Sequence, residues 1–163
     1  MDDIESTAVH EAGHAVAAFA RGGRVDSVTI KATDEHVGLT QITLEDSSHR
    51  SFAIYAGLWA ETRAQWPFVN LEGEHYGRSF EDCIELAWRR NPYGDGELYA
   101  EQLRIEESEG GLFVREARER EWNDELERLW PAIQLIAALL ISEETVTHAD
   151  ISAAFRGASN EGE

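Results

Sequence analysis

The run Ser6-Thr7-Ala8-Val9-His10-Glu11-Ala12-Gly13-His14-Ala15-Val16-Ala17-Ala18-Phe19 decides how this chain is read. Residues four apart on an α-helix project from one face, so the ring nitrogens of His10 and His14 can converge on a single tetrahedral ion. Glu11 stands about 100° further round the helix. From there it can reach water at the ion without being a ligand, which is the HExxH arrangement. A zinc ion lowers the pKa of such water toward about 7, and a neighbouring carboxylate can take the proton as the water adds to a carbonyl. The pattern therefore predicts His10 and His14 as zinc ligands and Glu11 as the catalytic base. The bland alternative is a surface helix with two solvated histidines. Residues 12–20 are nearly devoid of charge, which argues for a helix buried on most of its circumference, where His-Glu-His needs a partner to offset desolvation.

Outward from this helix the local signals are clear. Ser6 or Thr7 can cap it, and Gly22-Gly23 stops it. Residues 25–30 and 37–44 are rich in β-branched side chains and predict an antiparallel pair across a turn at Thr33-Asp34-Glu35. A helix is expected from Ser47 or Ser48 to Ala64, burying Phe52, Ile54, Tyr55, Leu58, Trp59 and Thr62 and ended by Pro67. After a loop at 66–77, Ser79 caps a helix over 80–90. Asn91-Pro92-Tyr93-Gly94-Asp95-Gly96 reads as a turn, and 97–107 as a short charged helix. Gly110-Gly111 breaks the chain before a long helix over 112–140 that Pro131 kinks or divides. Its charged run from Arg115 to Glu121 reads as a solvated face. Thr147 caps a last helix over 148–155. The expected fold class is mainly α (α+β), with a small antiparallel hairpin or sheet. Residues 1–157 form one domain, and 158–163 a disordered tail.

At 163 residues with 42% hydrophobic content and five Trp, the chain can build one core. A net charge of −18, from 32 acids against 14 bases, argues against nucleic acid or an anionic membrane surface as partner. A basic partner fits better, although acidity is also compatible with solubility alone. Cys83 is the only cysteine, so there is no disulfide framework, and the acidic N-terminus does not read as a signal peptide. Both favour a cytoplasmic setting. The apolar run at 130–141 is interrupted by Pro131 and Gln134 and is too short to insert in a membrane. Neither a P-loop nor a dinucleotide glycine fingerprint occurs, so nothing here is equipped to hydrolyse ATP.

The segment from Ser6 to Phe19 resembles the zinc helix of the FtsH-type ATP-dependent metalloproteases, whose form is close to TAxHEAGHA. Val25-Asp26-Ser27-Val28-Thr29-Ile30 followed by Gly38-Leu39-Thr40 is similar to the family's strand pair. Ala56-Gly57-Leu58-Trp59-Ala60-Glu61 resembles its GGRAAEE helix, and residues 129–151 its closing helices. The similarity spans most of a peptidase domain, and only its first segment is specific by itself. Family members join this domain to an AAA+ ATPase and usually to membrane spans. This chain resembles a stand-alone version, which implies ATP-independent cleavage of peptides or unfolded proteins. A separate ATPase or a homo-oligomer remains an expected partner.

The resemblance also implies a third zinc ligand, an Asp at a helix start in a GASND-like segment. The corresponding stretch is Gly77-Arg78-Ser79-Phe80-Glu81-Asp82-Cys83. Asp82 precedes an apolar pair, as the family's Asp precedes an apolar residue, and is the expected ligand; spacing alone points to Glu81. Either acid could instead serve its own helix dipole. Glu61 is expected to orient a histidine ligand through its free ring N–H, or else to be an ordinary solvated acid. His75 could assist substrate binding or simply be exposed, and His36, His49 and His148 offer no constellation. The strand segment 38–42 could take a substrate peptide as an added strand. The competing function is a catalytically idle zinc-binding module for protein interaction. The intact Glu11 argues against it, because a purely structural site has no use for that acid.

Overall fold

The computed structural model describes residues 1–31, 38–46, 48–91, 94–109, 115–143 and 145–160. Helix α1 (Asp3–Ala20) begins earlier than the expected caps, because Asp2 and Glu5 form a capping box. Asp2 Oδ1 accepts from the Glu5 amide at 2.8 Å, and the Asp2 amide donates to Glu5 Oε2 at 3.1 Å. Ser6 and Thr7 consequently lie inside the helix, where Thr7 Oγ1 donates to the Asp3 carbonyl and Ser6 is free to act elsewhere. Gly22, at φ 74°, ends the helix.

Strands β1 (Arg24–Thr29) and β2 (Leu39–Thr43) form the expected antiparallel pair, with a bulge between Val25 and Ser27. The expected turn at Thr33-Asp34-Glu35, His36 and the expected strand start at Val37 lie outside the described residues. A short strand β3 (Thr145–Val146) pairs with the other edge of β1, giving the order β2-β1-β3. Sequence reading assigned this segment to closing helices. Its strand exists only because Val146 is buried opposite Val28.

Helix α2 (Ser48–Gln65) buries Phe52, Tyr55, Leu58 and Trp59 and stops before Pro67. It crosses α1 at close range through small residues. A Cβ on Gly13 would stand 2.4 Å from the Ala56 carbonyl oxygen and 2.9 Å from Ala60 Cβ. This approach lays α2 directly against the histidine face of α1. Helices α3 (Phe80–Arg90), α4 (Asp95–Ser108), α5 (Arg115–Glu143) and α6 (His148–Asn160) complete the fold.

Four local features bear on the expectations. Helix α4 starts at Asp95, inside the expected turn, and Pro131 does not divide α5, which is one element over Arg115–Glu143. Helix α6 continues to Asn160, into the segment expected to be a disordered tail; residues 161–163 lie outside the described residues. The charged run opening α5 is partly built in rather than solvated. Arg118 Nη1 donates to Glu106 at 2.6 Å and the Tyr99 hydroxyl to Glu119 at 2.7 Å.

The core runs from Val16 and Val28 through Phe52, Tyr55, Trp59 and Phe80 to Leu126, Ile136 and Ile151. The class is mainly α with a small three-stranded antiparallel sheet. No helix of the described residues is long and apolar enough to cross a membrane.

Candidate metal centre

His10 and His14 lie on the α2-facing side of α1, and their Nε2 atoms approach to 3.1 Å. The carboxylate that meets them is Asp95, the first residue of α4. Its Oδ2 stands 2.6 Å from His10 Nε2 and 3.0 Å from His14 Nε2. These are the residues that could hold a metal ion: one atom from each falls within 4.8 Å of the others. Two imidazole nitrogens and a carboxylate oxygen suit zinc, and no fourth ligand joins them among the described residues. A tetrahedral zinc site with bonds of about 2.0–2.1 Å has ligand-to-ligand edges of about 3.3 Å. The two His14 separations, 3.0 and 3.1 Å, are a few tenths of an ångström tighter, and the 2.6 Å between His10 and Asp95 is tighter by about 0.7 Å, so the donor set fits the ion once the His10 and Asp95 side chains spread apart.

The distal ring nitrogens are held as well. His14 Nδ1 meets the Ala53 carbonyl oxygen of α2 at 2.8 Å, so the ring must donate there and turn the Nε2 lone pair toward the centre. His10 Nδ1 faces Glu61 Oε2 at 3.4 Å, and Ser6 Oγ donates to Glu61 Oε1 at 2.7 Å. The geometry thus supports Glu61 as the orienting acid rather than as a solvated one. Ser6 can steady it because Asp2, not Ser6, caps α1. Gly57 of α2 lies under the two rings. A Cβ there would stand 2.4 Å from His14 Cε1 and 3.0 Å from His10 Nε2.

The electrostatics favour positive charge. Burial lowers the proton affinity of His10, but hydrogen bonds to Asp95 and Glu61 outweigh it and raise its pKa from 6.5 to about 10. Burial works to raise the Asp95 carboxyl, yet its contacts with both histidines hold it well below the usual carboxylate range. The His10 contact likewise lowers Glu61, against its own burial and with help from Ser6. Asp95 and Glu61 thus set two carboxylates against the rings.

Glu11 is buried at 8% exposure and is not one of the converging ligands. Thr40 Oγ1 of β2 donates to its Oε2 at 2.6 Å, fixing the carboxylate. Gly38 lies against its other side, where a Cβ would come within 2.7 Å of Glu11 Oε1. A cavity of about 230 Å³ lined by Ser6, Thr7, His10, Glu11, Gly38 and Glu61 opens here. Gly38 and Thr40 therefore serve the acid, a role not legible in the strand pattern.

The expected third ligand, Asp82, does not join the cluster. Its Oδ2 accepts from the Ser79 amide and hydroxyl, both at 3.1 Å, and the Ser79 hydroxyl accepts from the Asp82 amide. Asp82 completes the capping box of α3, and Glu81, the spacing alternative, stands beside it in the same first turn. Both line a different cavity, between α3 and α5, whose lining contains neither histidine. The carboxylate that meets the histidines is an Asp at a helix start, but of α4 rather than α3, in Gly94-Asp95-Gly96. The signal in the sequence is a glycine followed by an acid immediately before the charged helix, within the expected turn.

His75 sits in a β-bridge with Arg78, with its ring against Trp66 and Tyr76. His148 Nδ1 accepts from the Val25 amide at 3.3 Å, a structural role. Compared with known proteins, the chain matches no family model and no curated sequence.

Proposed function

We propose that this protein is a zinc-dependent metallopeptidase that hydrolyses peptide bonds without ATP in this chain alone. The observation that carries the reading is the convergence of His10 Nε2, His14 Nε2 and Asp95 Oδ2, with the Glu11 carboxylate held by Thr40 in a cavity that His10 also lines. Zinc, when bound, supplies Lewis acidity that polarises a carbonyl and makes water easier to deprotonate. The rest belongs to the chain. His10, His14 and Asp95 bind, and Glu61 and the Ala53 carbonyl orient the two rings. Thr40 holds one oxygen of Glu11. Glu11 takes the proton from the attacking water and delivers it to the departing amine, which balances the reaction without another acid.

An idle binding module would have no use for the buried Glu11 carboxylate that Thr40 clamps, so the enzyme reading is the better supported. The test is metal content measured alongside cleavage of an unstructured protein such as casein, with and without chelator. Activity that disappears with the metal and returns with zinc is the expected result. Undiminished cleavage by metal-free protein, or by Glu11→Gln protein, overturns the reading.

A further inference from the structure

A cavity of about 390 Å³ opens on the other side of the ligand set, bounded by His14 and Asp95. Its walls grow out of the elements that position the site. Ile42 follows Thr40 by two residues on β2 and so shares its face. Leu98 lies one turn beyond Asp95 on α4, and Ile54 adjoins Ala53, whose carbonyl holds His14. Ile42 and Ile54 are half-buried and Leu98 is 55% exposed, so apolar surface is left open beside the ligands.

Arg50, one turn before Ile54 on α2, completes the lining. It is exposed and has no hydrogen bond or ion pair among the described residues. Arg21, Arg63 and Arg115, by contrast, are each held by a carboxylate. In a chain of net charge −18, an unengaged guanidinium at this rim places one positive charge where an anionic group can meet it.

We propose that this cavity selects the substrate: it takes an apolar side chain next to the scissile bond, and Arg50 pairs with a neighbouring carboxylate. That carboxylate is an acidic side chain or the C-terminus of a peptide. The inference rests on the hydrolase reading and names the substrate class for it.

The test uses zinc-loaded Glu11→Gln protein and fluorescein-labelled hexapeptides, with binding read by anisotropy. Peptides containing Leu-Asp, Leu-Asn or Gly-Asp, and Leu-ending peptides as free acid or amide, separate the side chain from the two sources of charge. Leu-Asp or the Leu free acid should bind best. Adding Arg50→Gln should erase the preference for the acid, about fivefold, and leave Leu favoured over Gly. Adding Ile54→Trp, which fills the cavity, should erase the Leu preference. Circular dichroism checks that each variant folds. Persistence of both preferences in these variants overturns the assignment. Parallel cleavage by protein with Glu11 intact keeps the two readings apart. Cleavage blind to Leu and to charge removes the pocket and leaves the hydrolase, whereas selective binding with no cleavage does the reverse.

Discussion

The starts of α3 and α4 carry the same kind of side chain and use it in opposite ways. At α3 the Asp82 carboxylate folds back on Ser79 and serves its own helix. At α4 the preceding residue is Gly94, at φ 62°, and no side chain caps the helix. Asp95 is turned outward to His10 and His14 instead. A carboxylate engaged by a reciprocal cap is unavailable for other work, whereas one at an uncapped start can be directed at another element. The helix that gives up its local cap is the one that supplies the site.

The sharpest way to break this comparison is to exchange the two acids' fates. Asp95→Ala should abolish stoichiometric zinc and all cleavage, while Asp82→Ala keeps both, as read by metal analysis after gel filtration. Retained zinc in the first variant, or lost zinc in the second, would return the ligand to α3. Glu11→Gln comes next in size: turnover should fall by about 10²–10⁴-fold with zinc content unchanged. Gly57→Ala tests whether α2 must lie flush against the rings, because its Cβ would overlap His14. Overpacking of this kind costs about 1–3 kcal/mol, and thermal melts with and without zinc should show a loss concentrated in the zinc-loaded form. Glu61→Gln should weaken zinc by about 10–100-fold in a chelator competition, and Ser6→Ala by less. The smallest effect belongs to α3, where Ser79→Ala should lower stability by about 1 kcal/mol in denaturant melts with no change in metal affinity.

Legibility followed the range of the interaction. The antiparallel strand pair, the end of α2 before Pro67 and the Ser79 cap were readable because β-branching, proline and capping act over a few residues. Ser6 and Thr7 were misread as caps because Asp2 and Glu5 form the stronger reciprocal pair upstream. Helix α4 was placed too late because its start lacks a capping side chain, the usual sign of a helix beginning. Strand β3 was invisible because two residues carry no period, and only pairing with β1 makes them a strand. Gly38 carries no local signal of its own, and only its closeness to Glu11 gives it a role.

By itself the amino-acid order determined the paired imidazoles and the acid beside them, since one helical turn sets that geometry wherever the helix lies. It also determined a mainly helical chain with a β pair and the apolar burial of the motif helix. Tertiary structure alone decided which acid meets the histidines, because Asp95 is 85 positions from His10 and only the packing of α4 brings the two together. It likewise decided that Glu61 orients His10, that Thr40 clamps Glu11 and that Gly57 admits the rings. The physical reason is reach. A side chain's conformational preference is set by its neighbours in sequence, whereas a site closes only when distant elements pack.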